Sequence, residues 1–80
     1  MRLPRNLSGA EFIEKLAALG YQPTRQVGSH VRLTCMEPFQ HHVTVPMHDF
    51  LRIGTLSSIV GDIARHKKIT KEVLIAQLND

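Results

Sequence analysis

Gly28, Ser29 and His30 place an imidazole straight after a tight turn and at the head of a strand, where a chain can expose a proton-transfer group. From His30 to Thr34 polar and apolar residues alternate, so the ring is expected on an open sheet face beside Arg32, outside the core. Arg25, on the preceding extended run, supplies a second guanidinium. An imidazole among fixed cations suits phosphate chemistry. Breaking a phosphodiester without a metal takes a base for the attacking hydroxyl's proton, a cation to balance charge at phosphorus, and an acid for the leaving oxygen. Histidine as a residue type titrates near pH ~6.5 and offers a neutral base at neutral pH, which makes His30 the candidate base. Arginine stays charged and forks onto phosphate, so Arg25 and Arg32 are candidate phosphate contacts, and the amides of Gly28 and Ser29 can add donors at the turn. No second acid stands out in the sequence, which predicts a slow enzyme.

Each of these residues has a plainer reading. His30 can be a polar residue on an exposed strand, and the two arginines a solvated face. Ser29 is read as a turn residue, because no base and orienting carboxylate accompany it as a nucleophile requires. His41 and His42 are adjacent, and adjacent strand residues point to opposite faces, so no metal site is expected there and no cofactor elsewhere. His48 is expected to hydrogen-bond the loop that leads to the second helix. The cluster Arg65, His66, Lys67 and Lys68 can meet the phosphates of a polyanion, but charge that favours a helix C-terminus is the commoner use.

The elements that must carry these groups are marked by local signals. Ser8 and Glu11 form a capping box and Leu7 with Phe12 a hydrophobic staple, predicting a first helix over residues 9 to 19 ahead of Gly20. Tyr21 to Val27 reads as a strand, and Pro23 assigns it to a sheet edge. Gly28-Ser29 is a two-residue hairpin turn leading into a second strand, His30 to Cys35, with Val31, Leu33 and Cys35 inward. A third strand runs His42 to Val45. Thr55 is the expected cap of a second helix whose stripe is Leu56, Ile59, Val60, Ile63 and Ala64. Thr70 caps a short third helix with Val73, Leu74 and Leu78 as its apolar side. One register opposes Arg25 to Arg32, a repulsive cross-strand pair unless an anion bridges it, and turns Thr24 and Gln26 toward the helices unless a bulge near Gly28 intervenes.

Strands in a run followed by helices imply an α+β fold: a three-stranded antiparallel sheet with helices on one face and a wet opposite face. Eighty residues are read as one domain, 1–80, with a thin core. With 42% hydrophobic and 21% charged residues, and no apolar run near the roughly 20 residues of a membrane helix, a soluble protein with no membrane partner is expected. The first six residues lead into no signal-like apolar stretch, and Cys35 is the lone cysteine, so a cytoplasmic location is expected and Cys35 is read as a small core residue. A net charge of +3 is compatible with a polyanionic partner.

Arg25-Gln26-Val27-Gly28-Ser29-His30, Val45-Pro46-Met47-His48 and Gly54-Thr55-Leu56-Ser57-Ser58-Ile59 resemble, in that order, three signatures of the HicA-type toxins of bacterial and archaeal toxin–antitoxin pairs. The resemblance covers helix one through helix two. It implies a double-stranded-RNA-binding-domain-like α-β-β-β-α fold, here with a short extra C-terminal helix. The implied activity is that of an mRNA interferase, an endoribonuclease neutralised by a HicB-type antitoxin. In that family the His of the Gly-Ser-His motif is catalytic, and His30 occupies its position. Many members carry another His immediately after it, where this chain has Val31, so help from that neighbour is absent. Two other functions compete: a noncatalytic RNA-binding module, and an inactive relic that retains only antitoxin binding. Against the first, the start of the second helix offers no lysine in Gly54-Thr55-Leu56-Ser57-Ser58 with which to grip duplex phosphates.

Overall fold

A computed structural model describes residues 3–79. The elements follow in the order α1 (Gly9–Ala17), β1 (Gln22–Val27), β2 (His30–Cys35), β3 (His41–Pro46), α2 (Ile53–Lys67) and α3 (Lys71–Leu78). The sheet is antiparallel with β2 in the centre, so Pro23 lies on an edge strand where its missing N–H is harmless. This is the α+β arrangement expected, with α1 and α2 packed on the sheet and α3 on α2. Among the described residues no helix is long and apolar enough to cross a membrane.

Helix α1 starts through both halves of the capping box: Glu11 N–H donates to Ser8 Oγ at 3.0 Å and Ser8 N–H to Glu11 Oε1 at 2.9 Å. Those bonds to Ser8 hold the Glu11 carboxyl below its usual pKa, because they favour the charged form. Leu7 and Phe12, the staple pair, are both buried. The helix ends at Ala17, two residues early, and the chain turns out through Gly20.

The alternation of β2 and β3 decides the core. Val31, Leu33, Cys35, Val43 and Val45 are buried beneath Phe12, Leu16, Leu56, Ile59, Val60 and Ile63, each large apolar side chain contributing about 1.5–3 kcal/mol on burial. Strand β1 contributes no buried residue. Its register with β2 shifts between Pro23 and Arg25, so neither open alternative holds: Thr24 does not face the helices, and the irregularity lies before Arg25 and away from Gly28. The bulge swings Thr24 outward, where its hydroxyl meets Thr34 Oγ1 at 2.8 Å, and still leaves Arg25 opposite Arg32.

Two further corrections concern the helices. Helix α2 begins at Ile53 after Arg52, and Thr55 lies inside its first turn without capping it. Buried Leu51, whose N–H donates to Leu7 C=O at 2.8 Å, anchors the chain just before that point, so the helix starts where the anchor ends. In α3, capped by Thr70 as expected, Leu74, Ile75 and Leu78 are buried and Val73 is exposed, because packing on α2 selects a face one residue further round.

Candidate active site

His30 stands at the head of β2, one residue beyond the two-residue turn. Gly28 has φ +57° at the first turn position, where a hairpin of this length takes glycine, and Val27 pairs directly with His30. On β3 the partner of His30 is Pro46, so the ring lies on the outer face where the third strand leaves the sheet. The outer rows of the sheet run Arg25–Arg32–Thr44 and Thr34–His42 beside it. None of the three strands contains an acidic residue, and neither arginine has a carboxylate partner among the described residues.

Two hollows meet at His30. One, of about 240 Å³, lies on the sheet face between Arg25, Val27, Arg32 and Thr44. The other, of about 530 Å³, a size that accommodates a small ligand, runs from His30 and Thr44 to His48, Arg52 and Thr55 over a floor of Pro46 and Leu51. His30 and Thr44 belong to both. The structure thus brings together His30, Arg25 and Arg32 as the sequence implied. Gly28 and Ser29 shape the turn beside them, and Ser29 C=O accepts from Met47 N–H at 2.6 Å.

His48 and Thr55, read from the sequence as a loop hydrogen-bonder and a helix cap, line the cleft together with Arg52, which no sequence signal singled out. The expectation that the His48 side chain hydrogen-bonds its own loop is corrected. Its ring bonds no described residue, and it is the backbone C=O of His48 that accepts from Gly9 N–H at 2.9 Å. A signal was present in the strand pairing. An antiparallel β2 and β3 place the residues just after Pro46 beside the residue that opens β2.

The other imidazoles are committed elsewhere. His42 Nδ1 meets Thr34 Oγ1 at 2.8 Å on the outer face. His41, on the inner face, shares a hydrogen bond of 2.7 Å between its Nδ1 and the Tyr21 hydroxyl and stacks on His66 with ring centroids 4.3 Å apart. Burial, followed by repulsion from His66, lowers the His41 pKa, and burial raises that of Tyr21. His66 donates from Nε2 to Glu37 C=O at 3.0 Å. In the basic cluster at the end of α2, Arg65 pairs with Asp62 and Lys67 Nζ donates to Leu19 C=O at 2.9 Å.

Residues 9–74 match the family model for the HicA toxin of bacterial toxin-antitoxin pairs. No curated protein and no solved structure matches the chain. The family match runs from the first residue of α1 into α3 and includes every residue of the two hollows, so the chain belongs to the HicA toxin family of bacterial toxin–antitoxin systems.

Proposed function

We infer that this toxin is an endoribonuclease that cleaves mRNA in the cytoplasm without a metal, and that a HicB-type antitoxin restrains it by covering the basic sheet face. His30 is the general base that takes the 2′-hydroxyl proton. Arg25 and Arg32, with the amides of Gly28 and Ser29, hold the phosphate. One observation carries the reading: an exposed imidazole at the junction of two hollows, flanked by two guanidinium groups opposed across β1 and β2 with no carboxylate between them. Opposed like charges cost stability in a bare sheet, and a phosphate bridging them removes that cost.

His30→Ala tests it. The substitution is expected to abolish growth arrest on induction and to slow cleavage of purified transcripts by about 100- to 10,000-fold, the usual worth of a general base. Because the side chain is exposed, the unfolding temperature stays at the wild-type value. Undiminished cleavage by the variant, in a metal-free and nuclease-free preparation, rules the role out.

A further inference from the structure

Transesterification through the 2′-oxygen needs a proton delivered to the departing 5′-oxygen as well as one removed, and His30 supplies only the second. The five imidazoles of the chain divide cleanly. His41, His42 and His66 are hydrogen-bonded to Tyr21, Thr34 and Glu37 respectively. The remaining two, His30 and His48, are exposed, bond no described residue, and line one cleft.

The loop that carries His48 is fixed in place from several sides. Met47 N–H donates to Ser29 C=O at 2.6 Å, so the residue before one histidine is tied to the residue before the other. Gly9 N–H holds His48 C=O at 2.9 Å, and Leu7 C=O holds Leu51 N–H at 2.8 Å. Three backbone bonds within five residues, to the hairpin turn, α1 and the segment before it, set the spacing of the two rings. Neither ring is spent on the tether.

We propose that His48 is a second catalytic residue, the general acid that protonates the leaving 5′-oxygen, in the cleft it shares with His30. The assignment rests on the endoribonuclease reading above and completes its proton inventory. Neutral His30 takes the 2′-hydroxyl proton as the 2′-oxygen bonds to phosphorus. The bond from phosphorus to the 5′-oxygen breaks with its electron pair going to that oxygen, and the His48 imidazolium supplies the proton. The products are a 2′,3′-cyclic phosphate and a 5′-hydroxyl. His30 ends with one proton more and His48 with one fewer, and exchange with water resets both.

The test uses a short single-stranded RNA spanning a linkage that the wild-type protein cuts, made once with oxygen and once with sulfur at the 5′-bridging position. A thiolate leaves without protonation, so the sulfur substrate does not need the acid. His48→Gln is expected to cut the oxygen substrate about 100-fold or more slowly, yet to cut the sulfur substrate within about threefold of wild type, as loss of a general acid demands. His30→Gln is expected to be slow on both. Equal slowing of His48→Gln on the two substrates shows a binding or structural role and overturns the assignment, as does no slowing at all. Rescue of His30→Gln in place of His48→Gln reverses the roles and overturns it too. A wild-type protein that cuts no linkage, or cuts equally well without His30, overturns the endoribonuclease reading itself, and no His48 variant alone gives that result. His48→Asn, with its unfolding temperature measured beside that of His48→Gln, separates lost chemistry from a lost fold.

Discussion

The guanidinium groups of Arg25 and Arg32 face each other across β1 and β2, on a sheet surface whose strands carry no acid. Two cations in that position repel, and directly opposed like charges cost about 0.2–1 kcal/mol. In the proposed function a bound phosphate relieves that repulsion. Arg32→Thr is therefore expected to leave stability unchanged or raise it by up to about 1 kcal/mol in urea denaturation, while weakening RNA binding. Because one phosphate contact is removed, the slope of log K against log salt becomes shallower by about 0.7 for a single strand, the worth of one released counterion. An unchanged slope means that Arg32 touches no phosphate. His30 is legible at this scale because the turn and the alternation after it are local. His48 is not, because nothing in its immediate neighbours tells which cleft the ring lines.

At the scale of elements, the loop between β3 and α2 carries the proposed second catalytic residue, and its position is held by α1. Gly9, the first residue of α1, is buried against the end of β3: a Cβ there would overlap Pro46 O and lie 2.9 Å from Met47 Cα. Both obstacles are backbone, so a larger residue must push the loop away. Gly9→Ala is expected to destabilise the fold by about 1–3 kcal/mol, the range for forced overpacking. It is also expected to slow RNA cleavage under conditions where the variant remains folded, although Gly9 lines neither hollow. Urea midpoints paired with cleavage rates at low temperature check both effects. A folded variant with the wild-type rate shows that the loop's position is unimportant. The start of α2 teaches a related lesson. Thr55 has the residue type of a cap, but burial of Leu51 and its bond to Leu7 place the cap three residues earlier, at Arg52.

Across the whole molecule, the cluster of Tyr21, His41 and His66 joins the entry to β1, the start of β3 and the end of α2, and makes stability depend on pH at both extremes. Burial first, and the neighbouring His66 second, place the folded pKa of His41 below its ordinary 6.5. The unfolded chain therefore binds the proton more readily, and the stability from the neutral ring is lost as pH falls below about 6.5. Tyr21 shifts the other way from 10.0, so the unfolded chain ionises first and stability is lost as pH rises above that value. The unfolding free energy is expected to be highest between these limits. For one proton the slope on either limb is at most about 1.4 kcal/mol per pH unit. Urea denaturation across the pH range checks this, and His41→Asn, which keeps a polar partner for Tyr21 but does not titrate, should flatten the acid limb.

By itself the sequence determined what near neighbours control. The capping box of α1, the glycine of the hairpin turn, the inward and outward alternation of β2, and the edge position of β1 all follow from sterics and hydrogen bonds within a few residues. The three motifs also marked the family before the fold was seen, since they combine residue types that those elements must present in order. The tertiary structure alone decided the bulge at Thr24, the starting residue of α2, the buried face of α3, and the cleft that His30 and His48 both line. Each of these is a compromise among contacts far apart in the chain. Where β3 leaves the sheet depends on its register with β2, and the loop beyond it depends on a glycine and a leucine at the start of α1. No local pattern records such a sum, because each contributing contact is made only after the others have brought the chain into place.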